Sequence, residues 1–221
     1  MNNQELSIID LLSREMQIRN YSGRTVKTYC SLMSTMEKSV GLPLDQITLV
    51  QFKNHIHNLI TKKSSSVSTV NQYISAFRIL QVDVLRREWE NFKVRRPRGE
   101  KKLPVILSQN EIEKLISVTR NVKHKSLLML AYSAGLRISE VLNMEISDID
   151  SERMQVKVRQ GKGRKDRYTI LSTKALEMLR VYYRKERPSR YLFETQNQKG
   201  RPLSATSLRC IVSKSAERAG I

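Results

Sequence analysis

Apolar residues recur at helical spacing four times within the first eighty positions, with polar joints between the runs. Ile8, Leu11, Leu12 and Met16 make one stripe, and Val26, Tyr29, Met33 and Met36 make a second. Thr48 followed by Gln51 has the spacing of a reciprocal N-terminal cap, and it introduces Leu49, Phe52, Ile56, Leu59 and Ile60. Past the Ser64-Ser65-Ser66 cluster, Val67, Val70, Ile74 and Phe77 form the fourth. Spacing of this kind turns one face of each helix toward a shared core, so this half of the chain is expected to be a small helical bundle.

The polar faces of those helices are cationic. Arg24 and Lys27 flank the second helix, Lys62 and Lys63 precede the fourth, and Arg78 lies on it. Across 221 residues, 40 Lys and Arg stand against 21 Asp and Glu, a formal charge of +19. A chain that basic attracts polyanions, of which nucleic acid is the commonest inside a cell. The plainer alternative is a basic surface kept for solubility. Hydrophobic residues at 39% are enough to fill cores and exclude wholesale disorder.

Other classes find less support. No apolar run approaches the roughly 20 residues that span a bilayer. The opening Met-Asn-Asn-Gln-Glu-Leu lacks the features of a signal peptide, and Trp89 sits in no membrane-surface pattern. Cys30 and Cys210 are far apart without metal-type spacing and read as ordinary thiols of a reducing compartment. His55 and His57 face opposite ways on their helix and His124 stands alone, so no metal site is expected. The expected location is cytoplasmic.

Residues 93–104, Lys-Val-Arg-Arg-Pro-Arg-Gly-Glu-Lys-Lys-Leu-Pro, have the composition of a linker and include Arg95 and Arg96. Two readings stand: a solvated spacer, or a basic strap following a phosphate backbone. The expected division is a helical domain over 1–92, the linker over 93–104 and a second domain over 105–221.

The second domain opens on Ser108-Gln109-Asn110-Glu111, another capping box, before Ile112, Leu115 and Ile116. Leu127 to Ala131 reads as a buried helix centre, Gly135 ends that helix, and another resumes beyond Arg137. Met154, Val156 and Val158 alternate with polar residues as a half-buried strand does. A turn at Gly161-Lys162-Gly163-Arg164-Lys165-Asp166 follows, and Tyr168 to Leu171 returns apolar, which predicts a hairpin with a cationic tip. Helical spacing resumes at Leu176, Leu179 and Tyr183, and again at Leu208, Ile211 and Val212. The expected fold is mainly α with a small antiparallel β-sheet.

Two features carry chemistry. Arg137 follows a helix break among apolar neighbours, with Glu140 one turn on. That spacing fits a structural Arg–Glu pair; it also fits an arginine presented rigidly, its planar fork free for a phosphate. Lys162 lies between two glycines that let the backbone approach a surface closely. A solvated basic turn is the simpler account of it. Against that, Arg159, Lys162, Arg164, Lys165 and Arg167 crowd one short hairpin, and their repulsion favours a polyanion between them.

Together these motifs resemble the tyrosine recombinase, or phage integrase, family, close to its Xer-type members. The resemblance runs along nearly the whole chain. Ser22 to Tyr29 and Ser66 to Arg78 look like the family's helical, SAM-like core-binding domain, and Leu103 to Ser108 looks like the entry to its catalytic domain. Gly135 to Glu140 matches the first catalytic-arginine box and Gly161-Lys162-Gly163 the hairpin of the catalytic lysine; Leu192-Phe193 and Ala219-Gly220-Ile221 also fit. The resemblance implies strand exchange on double-stranded DNA without cofactor or metal, through a 3′-phosphotyrosyl link. Arg137 would then clamp a non-bridging phosphate oxygen, Lys162 would protonate the departing 5′-oxygen, and Glu140 would orient the arginine.

The family's remaining catalytic residues, a His-x-x-Arg box and the tyrosine nucleophile, find no match. No histidine has arginine three positions on, and none of Tyr132, Tyr168, Tyr182, Tyr183 and Tyr191 aligns with a nucleophile. The expectation is a recombinase catalytic domain cut short, in a chain that binds DNA without cleaving it and is monomeric in solution, whereas full-length members form tetramers on DNA. The alternatives are a non-enzymatic regulator occupying recombination sites, and a basic module for RNA or an acidic protein.

Overall fold

The computed structural model describes residues 6–89, 93–99, 103–159 and 165–221. The chain divides into two compact units, Met1–Leu103 and Pro104–Ile221, each around its own apolar core.

The first unit is built from α1 (Ile8–Ile18), α2 (Gly23–Val40), α3 (Leu49–Thr61) and α4 (Val67–Arg78), and a π-helical turn over Ile79–Val84 prolongs α4. Their starts are written in side chains. Ser7 with Asp10, and Thr48 with Gln51, form reciprocal caps, while Ser22 and Ser66 accept the backbone N–H of Thr25 and Thr69. Gly41, at φ +76°, closes α2 in the left-handed conformation. The helices bury Leu12, Met16, Met33, Met36, Phe52 and Phe77, and the Phe52 and Phe77 rings stack at 3.9 Å. Leu11 and Ile60, which share those stripes in the sequence, face outward on the flank of their helices. The linker is not wholly solvated. Arg96 donates to the Asn71 carbonyl (3.2 Å) and to Ser75 Oγ (2.9 Å), and Val94 packs against the core, so this stretch lies along α4.

The second unit packs α6 (Val122–Ser133) on α8 (Thr173–Glu186), with α5 (Gln109–Ser117) and the short α7 (Ile138–Leu142) against α9 (Ala205–Ala219). Leu127, Leu130, Val141, Val156, Tyr182 and Phe193 fill the space between them. A three-stranded antiparallel sheet runs β1 (Ile149–Asp150), β2 (Gln155–Val158), β3 (Arg167–Ile170), and a separate hairpin joins β4 (Glu194–Thr195) to β5 (Gln198–Pro202). Sequence periodicity did not foresee β1 or the β4–β5 hairpin.

Register decides which side chains of the β2–β3 hairpin matter. Val156 stands opposite Thr169 and Val158 opposite Arg167. Since Val156 and Val158 are buried, the face they share with Thr169 and Arg167 is the inner one. The apolar return expected over Tyr168–Leu171 is therefore corrected: Tyr168 and Ile170 are 64% and 70% exposed, and only Leu171, past the strand, is buried. Among the described residues, no helix is long and apolar enough to cross a membrane.

Candidate nucleic-acid interface

Arg137 owes its position to a backbone device. The α6 helix stops at Ala134, Gly135 turns left-handed at φ +59°, and Arg137 occupies the extended N-cap position of α7. Strand β3 is tied to this turn by Thr169, whose Oγ1 donates to the Ala134 carbonyl at 3.0 Å. From the N-cap, the Arg137 side chain reaches the surface and remains 55% exposed, while Glu140 beside it is only 4% exposed.

The Glu140 carboxylate accepts four hydrogen bonds. Oε1 takes Arg137 Nη1 and Arg167 Nη1, each at 2.8 Å, while Oε2 takes the Arg137 backbone N–H at 2.9 Å and Arg167 Nη2 at 2.8 Å. Hydrogen bonds from Arg167, then from the Arg137 backbone and side chain, outweigh desolvation and bring its pKa down to about 2. A buried carboxylate this well satisfied stays ionised and holds its arginines in place. Two guanidiniums and one carboxylate leave the cluster with one net positive charge. Gly135, Arg137, Lys165, Asp166 and Arg167 line a shallow depression of about 310 Å³.

The other side of the hairpin is anchored as well. Arg159, just past β2, donates from Nε to Asp148 at 2.7 Å, from Nη1 to Glu145 at 3.2 Å and from Nη2 to Ser147 at 3.2 Å. Glu145 in turn accepts Arg190 Nε at 3.0 Å. Glu194 is buried like Glu140 and Asp148: its Oε1 accepts the backbone N–H groups of Ser189, Arg190 and Tyr191 and the Ser189 hydroxyl. Burial opposes its ionisation, but those bonds hold its pKa at about 2. Sequence reasoning had singled out none of Glu145, Asp148, Arg190 and Glu194.

The residues expected to carry the site thus fall into distinct settings. Arg137, Glu140 and Arg167 converge, and Lys165 lines the same depression. Arg159 is engaged by the carboxylates at its own end of the sheet. Lys162 and Arg164 lie outside the described residues. In the first unit, Arg24 and Lys27 are exposed on the first turns of α2, and Lys62 and Lys63 are exposed just past α3. Arg78 ends α4 with its guanidinium 5.8 Å from the Trp89 ring centre. Arg95 is exposed, whereas the Arg96 fork is taken up by α4.

Residues 106–221 match the Phage integrase family, and residues 8–91 match the N-terminal SAM-like domain of phage integrases. A Sinorhizobium fredii protein named as an integrase/recombinase, y4qK, is 37% identical over 183 residues, covering 82% of this chain and 59% of that protein. Tyrosine recombinase XerA of Pyrococcus horikoshii is 33% identical over 217 residues, 97% of this chain and 74% of the relative. The chain therefore spans about three-fifths of the first relative and three-quarters of the second. Among solved structures, a lambda integrase dimer bound to a COC′ core site shares the fold with a TM-score of 0.70 at 17% identity, over 97% of this chain and 81% of that one. A match over more than half the chain, joined by the XerA likeness along nearly all of it, leads to one conclusion: the chain belongs to the phage integrase family of tyrosine recombinases.

Proposed function

We propose that this chain binds duplex DNA through both of its domains, with Arg137 seated on a backbone phosphate. The observation that carries the reading is the contrast within one ion pair: a half-exposed guanidinium whose base is fixed by a buried, fully hydrogen-bonded carboxylate. A guanidinium held that way is preorganised for a phosphate, because little side-chain entropy is left to lose. The charge of +19 supplies the sequence-independent attraction. Relatives of this fold solved on DNA, such as the lambda integrase dimer on its core site, support the partner class.

In this reading Arg137 holds a non-bridging oxygen of the scissile phosphate. Lys162, between β2 and β3 in the chain, would give its proton to the 5′-oxygen that leaves phosphorus as a tyrosine of the whole recombinase attacks and forms the phosphotyrosyl bond. Glu140 keeps the arginine aimed. Arg24, Lys27, Lys62, Lys63, Arg78, Arg95, Arg164 and Lys165 add phosphate contacts. Within these 221 residues no histidine is followed three positions on by arginine, so by themselves they would bind DNA without cutting it.

Fluorescence anisotropy with a labelled duplex of about 30 base pairs tests this. Neutralising roughly 6–10 phosphates makes affinity fall about 10³–10⁵-fold between 50 and 200 mM salt. Affinity that ignores salt over that range contradicts the proposal, as does a covalent protein–DNA adduct formed by these residues on a nicked duplex.

A further inference from the structure

We infer that Arg167 is a positioning residue: by occupying Glu140 it frees Arg137 to bind phosphate. This rests on the phosphate-binding reading of Arg137. The charge pattern of the hairpin had suggested instead that Arg167 touches DNA itself. Its strand parity turns it inward, onto the face of Val156 and Val158, and both arms of its fork end on Glu140.

Arg137 and Arg167 compete for a single carboxylate. Glu140 is nearly inaccessible and ionised, so each oxygen needs donors. Arg167 supplies a planar two-pronged pair and the Arg137 backbone N–H a third bond. The Arg137 guanidinium then reaches Glu140 through Nη1 alone, and Arg137 lines the depression. Take Arg167 away and Glu140 keeps its negative charge with half its donors gone. Its nearest cation is Arg137, whose fork fits both oxygens. That closed pair neutralises Arg137 and turns it from the phosphate. Arg167 also opens β3, the strand that follows Lys162 in the chain and that Thr169 ties to the Arg137 turn, so one contact sets the arginine and that strand in a common frame.

The salt dependence of duplex binding by the 221-residue chain separates the possibilities, since each neutralised phosphate adds about 0.9 to the slope of log K against log salt. Arg137→Ala is expected to lower the slope by about 1. Arg167→Lys keeps the cation but loses the fork; it is expected to lower the slope equally, and the double variant Arg137→Ala/Arg167→Lys no further. A wild-type slope in Arg167→Lys beside a lowered one in Arg137→Ala overturns the inference alone, and a melting temperature that falls with no change of slope does the same, marking a purely structural role. A loss of about 2 in the double variant gives Arg167 its own phosphate and also overturns it. A wild-type slope in Arg137→Ala removes the phosphate reading and the inference with it. If Arg167→Lys does not fold, Arg167→Gln enters the same comparison.

Discussion

Glu140 and Arg167, 27 positions apart, meet fork to fork, with both nitrogen–oxygen distances at 2.8 Å. This contact joins the helix turn that presents Arg137 to β3, the strand that follows Lys162 in the chain. It sits under 5% exposed on the acid side, where an ion pair is screened little by salt and where losing one partner strands the other.

Acid should loosen the second unit in a defined window. Glu140 titrates at about 2 in the folded chain against 4.5 for a free carboxyl. The stability this contributes is complete above pH 4.5 and drains away as pH falls toward 2. The shift corresponds to about 3 kcal/mol as an upper figure. Thermal melts between pH 6 and pH 2 should show Glu140→Gln starting lower and falling less steeply than the parent, Glu194 supplying the remaining slope. Parallel curves for the two chains would show that Glu140 carries no such linkage.

Gly135→Ala should cost about 1–2 kcal/mol, the price of a left-handed backbone for a residue with a Cβ. Space is not the issue, because an added Cβ meets nothing within 4 Å at φ +59°. The turn two residues ahead of Arg137 shifts with it, so weaker duplex binding should accompany the lower melting temperature. A variant that melts and binds like the parent would show that the turn tolerates other backbone angles.

Phe77→Ala should destabilise the first unit by about 3–5 kcal/mol. Its ring is fully buried and stacked on Phe52 at 3.9 Å, so truncation leaves a cavity that neighbouring helices can fill only in part. Chemical denaturation followed by circular dichroism measures it. A loss under 1 kcal/mol would mean that the bundle repacks around the gap.

Much of the fold was legible because helices announce themselves twice, in period and in caps. Thr48 with Gln51 and Ser108 with Glu111 form the reciprocal bonds their spacing promises. The two-residue β1 is too short to show a period, and β5, Gln198–Pro202, is exposed along nearly its whole length and never alternates. Arg137 and Glu140 were legible as a pair from spacing alone. The fate of Arg167 was not, since it is one cation among five in a basic hairpin. The missing signal was register: once Val158 faces Arg167 across the strands, a buried valine forces the arginine inward and Tyr168 outward. Arg159 is similar, because its partner Asp148 stands on a 3₁₀ turn, Ile146–Asp148, that no periodicity marks.

The central claim is that Arg137 and Lys162 act on one phosphate of duplex DNA. A double-mutant cycle in DNA affinity, with Arg137→Ala, Lys162→Ala and the pair together at a single salt concentration, addresses it most directly. Groups sharing a phosphate should couple by about 0.5–3 kcal/mol. Single losses that simply add, to within about 0.3–0.5 kcal/mol, would place the two cations on separate phosphates and contradict the account.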